Sequence, residues 1–153
     1  MASRGETEKA LWFYNTHTGE SVKAVYWVQG EYVPGALAEI DFILRDFRSG
    51  DVKPIAPRLL DLASELRRAL GSNEPIHIIS GYRSPATNAL LAAQSGGVAT
   101  HSLHLLGEAL DLRVPGRDLK DVRRAALALH AGGVGYYPRS DFVHIDIGRV
   151  RTW

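Results

Sequence analysis

Two histidines and one aspartate have the residue types and the spacing of a metal-binding trio. His104 and Asp111 lie in one short segment, Ser-Leu-His-Leu-Leu-Gly-Glu-Ala-Leu-Asp over residues 102–111, and His144 follows further along the chain. Two imidazoles and one carboxylate are a usual ligand set for catalytic zinc, because three protein ligands leave the fourth position to water. The trio therefore predicts a catalytic metal site.

The segment that carries Asp111 alternates as a half-buried strand does. After Gly107, which can turn the chain without strain, Leu110 and Leu112 point to one face of the predicted strand and Asp111 points to the other. Successive side chains of a strand alternate between the two faces of its sheet. We therefore expect Asp111 on the polar face of the sheet, opposite an apolar row.

Residues 142–147 repeat this pattern. Val143 and Ile145 form the apolar row, whereas His144 and Asp146 face the other way. Two neighbouring strands of this kind would bury their apolar rows together and present Asp111 and His144 on one surface. Taken singly, such a histidine is usually a surface or satisfied core residue, and such an aspartate can simply end a hydrogen-bond ladder.

The combined pattern, Ser-x-His-x-x-Gly-x-Ala-x-Asp and a distant Asp-x-x-His, resembles the zinc peptidases of bacterial cell walls. That superfamily includes D-alanyl-D-alanine carboxypeptidases, VanX-like dipeptidases, phage endolysin peptidases and the hedgehog domain. The chain is similar in particular to the MepK-like (YcbK-like) murein endopeptidases. The resemblance extends over nearly the whole sequence, through residues 15–20, 79–85, 132–138 and 149–153.

The resemblance implies roles for individual residues. It implies that His104, Asp111 and His144 hold Zn²⁺, that Asp141 is the general base, and that Arg83 of the Ser-Gly-Tyr-Arg-Ser loop meets the substrate. An arginine there could stabilise the developing oxyanion or bind a carboxylate with its forked donors.

Four further residues are candidates for supporting roles. Asp146 shares the strand face of His144 and competes with Asp141 for the role of base, but we assign it to orienting a ligand imidazole. His101 could bind the metal, orient the substrate or contact a ligand, and we place it, with Ser102, beside the metal. Tyr82 is expected to pack or to line the substrate site.

The substrate implied by the resemblance is the stem peptide of peptidoglycan, particularly cross-links that join two meso-diaminopimelate residues. A D,D- or L,D-carboxypeptidase or dipeptidase on wall peptides would use the same site. Two other possibilities remain open at this stage: a non-catalytic zinc-binding module, and a cytoplasmic amidohydrolase of small peptides.

Composition excludes several classes of protein. The net charge is +1 with no cluster of Lys or Arg, so nucleic acid is a poor candidate partner. The absence of cysteine excludes thiolate zinc sites, thiol catalysis and disulfides, and no apolar run could span a membrane. Residues 1–8 lack the apolar core of a signal peptide, which taken alone indicates a cytoplasmic protein. The resemblance instead implies a periplasmic or extracytoplasmic enzyme whose signal has been removed, and we expect a monomer.

The predicted architecture is a single α+β domain over residues 9–153, preceded by residues 1–8 that are disordered or derive from cloning. A mainly antiparallel sheet flanked by helices would hold the site. The strands are predicted at 11–14, 22–28, 76–79, 109–114, 134–137 and 142–147, and the helices at 36–48, 57–70, 85–94 and from a cap at Asp118 to Gly132.

Overall fold

The strands form one sheet, and most of the helices pack on one of its faces. The computed structural model describes residues 6–96 and 98–153. The strands are β1 (Glu8–Asn15), β2 (Ser21–Val28), β3 (Glu31–Tyr32), β4 (Ile76–Ser80), β5 (Ala109–Arg113), β6 (Gly133–Tyr137), β7 (Phe142–Asp146) and β8 (Arg151–Thr152). The α-helices are α1 (Pro34–Ile43), α2 (Pro57–Ala69), α3 (Pro85–Gln94) and α4 (Leu119–Ala128), and a 3₁₀ turn spans Leu103–Leu106.

The strand order across the sheet is β3-β2-β1-β4-β5-β7-β6-β8. The pairings are antiparallel except those of β1 with β4 and of β6 with β8. This confirms the predicted α+β class and its mainly antiparallel sheet. Strands β3 and β8 were not predicted, because two residues are too few for alternation to be read.

The core fills the space between the sheet and three of the helices. Helix α1 packs on β2, α2 on β1, and α4 on β6 and β7. The inward rows are the alternating apolar side chains of the strands, such as Leu110 and Leu112 of β5 and Val143 and Ile145 of β7, which are all buried. Because the apolar side chains of each strand point to this face, the polar side chains that alternate with them point to the other face.

Helix α1 ends five residues before the predicted end at residue 48, at Ile43. The reason is the buried Asp46, whose carboxylate accepts hydrogen bonds from the amides of Arg48 and Ser49 and so builds a turn. The same carboxylate accepts from the amide of Ser84 at 2.9 Å. Asp46 therefore anchors the loop after β4, from which Arg83 projects.

The other helix boundaries lie close to those predicted. Helix α3 has the predicted bounds, and α2 is followed by Gly71 with a left-handed backbone, φ +62°. Asp118 does precede α4, but its side chain makes no capping hydrogen bond, so that part of the prediction was wrong.

Residues 6–8 belong to the fold, whereas residues 1–5 lie outside the described residues. Glu6 forms an ion pair with Arg68 at 2.8 Å, and β1 begins at Glu8. In the described ranges, no helix combines the length and the apolar character needed to cross a membrane.

Gly107, at the end of the 3₁₀ turn, is predicted to be intolerant of a side chain. Its φ of +69° is left-handed, and a Cβ there would lie 2.7 Å from the carbonyl oxygen of Pro54. Gly107→Ala is expected to lower the free energy of unfolding by about 2–4 kcal/mol, from left-handed strain and from overpacking. Urea unfolding would measure the loss.

Gly116→Ala is the matched control. Gly116 has a φ of +78°, but a Cβ there would meet nothing within 4 Å. This variant should therefore show only the left-handed strain, about 1–2 kcal/mol. Equal losses in the two variants would contradict a steric role for the approach of Pro54 to Gly107.

Candidate metal centre and its cleft

Three elements bring the predicted metal ligands together. Asp111 of β5 lies directly opposite His144 of β7 in their antiparallel register. His104 lies in the 3₁₀ turn. Ser102 caps the start of this turn, because its hydroxyl oxygen accepts a hydrogen bond from the amide of His104. Gly107 then turns the chain into β5. The trio is thus assembled by one strand pairing and one capped turn.

The ring nitrogens of both histidines are assigned by their hydrogen bonds. Nδ1 of His104 lies 2.7 Å from the carbonyl oxygen of Gly81, so it must carry the proton that it donates. Nε2 of His144 lies 2.7 Å from Oδ2 of Asp146 and donates in the same way. Nε2 of His104 and Nδ1 of His144 are therefore the nitrogens left to bind a metal, and both face Asp111.

The trio has the dimensions of a zinc site. Oδ1 of Asp111 lies 3.1 Å from Nε2 of His104 and 3.0 Å from Nδ1 of His144, and the three ligand atoms lie within 4.8 Å of one another. Tetrahedral zinc with bonds of about 2.0–2.1 Å separates its ligand atoms by about 3.3 Å. The side chains are buried, with 2, 6 and 8% exposure for His104, Asp111 and His144. The residues present fit the metal.

The electrostatics of the trio are those of a preformed cation site. Burial raises the pKa of Asp111, but the adjacent His104 and the hydrogen bonds from both imidazoles outweigh it and lower the pKa below its ordinary value. Burial lowers the pKa of His144, yet its bonds to Asp111 and Asp146 prevail and raise it. In the metal-free protein, a protonated His144 would also donate from Nδ1 to Asp111, and a bound metal would displace that proton.

Asp146 is saturated with donors and fully buried. Its two oxygens accept from Nε2 of His144, from both terminal nitrogens of Arg151 and from the amides of Gly133 and Gly148. Burial raises the pKa of this carboxyl, but these hydrogen bonds lower it further than burial raises it. The arrangement suits an orienting partner of His144 better than a proton acceptor.

Arg83 lies beside the trio, and not all of the nitrogens of its guanidinium have hydrogen-bond partners among the described residues. Its amide bonds to the carbonyl of His104, and its Nη1 donates to Oδ1 of Asn88 at 3.1 Å. Its Nη2 lies 4.0 Å from Oδ2 of Asp111. Within the described residues, the buried Nε of Arg83 has no hydrogen-bond partner. Burial lowers the pKa of the guanidinium and Asp111 partly offsets this.

Asp141 occupies the turn between β6 and β7, with a left-handed φ of +57°. Its carboxylate is 61% exposed and pairs with Nη1 of Arg113 at 3.3 Å. Its chain neighbours Ser140 and Phe142 line the cleft over the trio. Asp141 lies between two lining residues but is not itself among the described residues that line the cleft.

The remaining candidates separate into two groups. His101 is exposed and lines the cleft, and Ser102 lines it as well while capping the turn of His104. Tyr82 instead packs against the hydrophobic core, and its amide bonds to the carbonyl of Leu44. It is not among the described residues that line the cleft.

Sequence reasoning missed Arg151 and Trp153 as parts of the site. Both line the cleft, which has a volume of about 580 Å³. Asn88, which holds Arg83, was also missed because it lies inside the sequence of α3. Arg151 and Trp153 could have been noticed, because residues 149–153 are one of the segments that resemble the family.

A buried His-Asp-His trio at the floor of an open cleft, with a guanidinium beside it, defines a metallohydrolase type of site. The comparisons with known proteins agree. The family model described as peptidoglycan L,D-endopeptidase MepK matches residues 3–153. The peptidoglycan L,D-endopeptidase MepK of Escherichia coli K12 is 46% identical over 145 residues, which cover 95% of this chain and 80% of the relative.

A further relative is the probable peptidoglycan L,D-endopeptidase MepK of Haemophilus influenzae, 40% identical over 146 residues, or 95% of this chain and 78% of the relative. The chain belongs to the MepK family of peptidoglycan L,D-endopeptidases, which confirms the resemblance inferred from the motifs. It is a metallopeptidase, an enzyme that hydrolyses peptide bonds.

Proposed function

We propose that this chain is a zinc-dependent murein endopeptidase that hydrolyses stem-peptide cross-links containing meso-diaminopimelate. The observation that carries the proposal is the buried trio of His104, Asp111 and His144, in which one ring nitrogen of each histidine is turned toward the carboxylate. The L,D-endopeptidase names of its relatives support the substrate class. We also propose that one chain suffices, because the ligands and the cleft are complete within it.

Zinc would be held by Nε2 of His104, a carboxylate oxygen of Asp111 and Nδ1 of His144. When bound there, it would lower the pKa of a water and polarise the scissile carbonyl. Gly81 and Asp146 contribute by holding the two imidazoles in the tautomers that offer these nitrogens.

Arg83 is proposed to hold the substrate. Diaminopimelate has two amino acid centres, so a residue cross-linked through the amine of its second centre keeps that centre's carboxylate beside the scissile bond. The Nη2 of Arg83, 4.0 Å from Oδ2 of Asp111, provides a donor beside the trio. A guanidinium there can bind the carboxylate or stabilise charge that develops on the carbonyl oxygen. His101, exposed in the cleft, is proposed to contact the substrate as well.

Asp141 is proposed as the general base, which takes a proton from the attacking water and passes it to the leaving amine. Its carboxylate is exposed and pairs with Arg113, and its chain neighbours Ser140 and Phe142 line the cleft. The rival, Asp146, is fully buried, and its oxygens already accept from His144, Arg151 and two amides. This saturation supports an orienting role for Asp146.

Asp141→Asn is expected to keep zinc and lose turnover by about 10²–10⁴-fold, because general-base catalysis supplies an acceleration of that size. Asparagine has the same size as aspartate and tolerates a left-handed backbone. Metal analysis and initial rates on a purified cross-linked muropeptide would measure the two effects separately.

Asp121→Asn serves as the charge-matched control, since Asp121 is an exposed residue of α4 in a surface ion pair with Arg124. Its turnover should equal that of the wild type. Undiminished turnover in Asp141→Asn would assign the base to another group, with Asp146 and His101 the next to be substituted.

The decisive test of the function is a digest of diaminopimelate-containing peptidoglycan, resolved by mass spectrometry with and without a chelator. Chelator-sensitive loss of cross-linked dimers, with the bond between two diaminopimelate residues cut, is the expected result. Release of a terminal D-alanine alone would indicate a carboxypeptidase. No change in the digest by zinc-loaded protein would overturn the proposed activity.

The proposed substrate also fixes where the enzyme must act. Peptidoglycan lies outside the cytoplasmic membrane, so we propose a periplasmic or extracytoplasmic location for the enzyme. Fractionation of cells that express the full gene should recover it with the periplasmic contents. Recovery only from the cytoplasm would contradict this location.

A further inference from the structure

Strand β8 brings two side chains against the metal centre from the far edge of the sheet. It pairs in parallel with β6, placing Arg151 beside Gly133 and Thr152 beside Val134. Backbone bonds continue the pairing to Trp153, whose amide donates to the carbonyl of Val134. Residues 151–153 thus lie along β6, one strand away from His144 on β7.

Arg151 holds the carboxylate that orients His144. Its Nη1 lies 3.0 Å from Oδ1 of Asp146 and its Nη2 lies 2.8 Å from Oδ2, a forked arrangement that fixes the plane of the carboxylate. Oδ2 in turn accepts from Nε2 of His144 at 2.7 Å. A chain of hydrogen bonds therefore runs from β8 through Asp146 to the imidazole, and it leaves Nδ1 for the metal.

Trp153 restrains the same imidazole from another side. The centre of its ring lies 5.0 Å from that of His144, with the planes tilted by 49°. Its Nε1 donates to the hydroxyl of Tyr137. The guanidinium carbon of Arg151 lies over its ring, 5.0 Å from the ring centre. The indole is consequently held in place by a strand pairing, a hydrogen bond and a cation–π contact.

Two glycines of β6 make room for these side chains. A Cβ at Gly135 would lie 2.6 Å from Cε2 of Trp153, and a Cβ at Gly133 would meet the guanidinium of Arg151 and the carboxylate of Asp146. Glycine at positions 133 and 135 therefore leaves the space over β6 through which the side chains of Arg151 and Trp153 reach β7.

We propose that Arg151 and Trp153 are positioning residues of the metal centre. They hold His144 in the tautomer and ring orientation that present Nδ1, so the ligand needs no rearrangement when the metal arrives. Their loss would weaken metal binding and distort its geometry, although neither residue belongs to the ligand set. This inference rests on the proposed zinc site at His104, Asp111 and His144.

The test compares the metal-binding properties of folded variants with those of the wild type. Arg151→Met is expected to weaken Zn²⁺ binding by about 10–100-fold, the range found when a partner of a ligand is removed. Trp153→Phe should show a smaller loss in the same direction. Chelator competition gives the dissociation constants, and the visible spectrum of the Co²⁺-loaded protein, which reports coordination geometry, should change in Arg151→Met.

Arg151→Lys and Arg149→Met complete the series. Lysine keeps the charge but not the fork, so an intermediate zinc affinity is expected. Arg149 is exposed, and its substitution should leave affinity and spectrum unchanged. If Arg151→Met does not fold, Arg151→Lys and Trp153→Phe provide the comparison. Thermal unfolding of each metal-free variant identifies losses of stability.

The outcomes distinguish this inference from the proposed function. Wild-type protein that binds no Zn²⁺ would overturn both. Wild-type binding together with unchanged affinity and unchanged Co²⁺ spectra in the Arg151 and Trp153 variants would overturn the positioning role alone, even if these variants unfold at lower temperature. Weakened binding in folded variants, with kcat reduced and KM within about twofold of the wild type, supports it.

Discussion

Asp111→Ala is expected to abolish stoichiometric zinc binding and to lower turnover by at least about 10³-fold. Stabilisation by a catalytic metal is worth several kcal/mol, and about 4 kcal/mol corresponds to a rate factor of about 10³. The carboxylate lies 3.0–3.1 Å from one ring nitrogen of each histidine of the trio. Its removal leaves two imidazoles without the anion that neutralises the cation. Metal analysis after dialysis and rates on a purified cross-linked muropeptide would measure both effects.

Asp118→Ala is a matched control for this change. Asp118 is exposed and its side chain makes no capping bond, so zinc content and turnover should equal those of the wild type. Asp111→Asn keeps the shape of the side chain and removes its charge, and it should also lose zinc. Full zinc occupancy in Asp111→Ala would show that the ligand set has been assigned wrongly.

Asp146→Ala is expected to lower the free energy of unfolding of the metal-free protein by about 3–5 kcal/mol at pH 7, the range for breaking a buried ion pair. Asp146 is fully buried, and its loss would remove the acceptor of His144 and of two amides and would leave Arg151 with the carbonyl of Arg149 alone. Urea unfolding with a chelator present would measure the difference from the wild type.

The pH dependence of this loss has a defined sign. The pKa of Asp146 is lowered in the folded protein, so its stabilisation is complete above the unfolded pKa of about 3.9 and declines as the pH falls below it. The part of the difference between wild type and Asp146→Ala that comes from the charged carboxylate should therefore be complete above that pKa and shrink in acid. A difference that stays constant from pH 7 to pH 3 would contradict a role for the charged carboxylate.

Asp146→Asn provides the isosteric comparison. It keeps one acceptor oxygen but places an NH₂ group against either Nε2 of His144 or the guanidinium of Arg151, both of which are donors. An intermediate loss of stability is expected. A loss as small as that of a surface substitution would mean that packing, rather than these hydrogen bonds, keeps Asp146 in place.

Much of the fold could be predicted from local patterns. Alternation placed Asp111 and His144 on the polar faces of their strands, and proline, glycine and apolar spacing located the four helices within a few residues, apart from the end of α1. That end was missed because Asp46 is held by the amide of Ser84, a residue far away in the sequence. The sequence motif also sufficed to identify the family.

The tertiary structure decided how those elements combine. Alternation reveals which face a side chain occupies but not which strand lies beside it, so the register of Asp111 with His144 and the parallel pairings of β1 with β4 and of β6 with β8 were not readable. The pairing of Asp141 with Arg113 likewise depends on how the β6–β7 turn lies over β5.

The sequence by itself determined the residue types of the candidate metal site, the faces they occupy and the family to which the chain belongs. Only the tertiary structure decided which ring nitrogens face the carboxylate, that Asp146 is saturated with donors, and that Arg151 and Trp153 reach the site. The physical reason is that residue type and alternation are local properties of the chain, whereas β8 meets His144 only through pairings between strands distant in sequence.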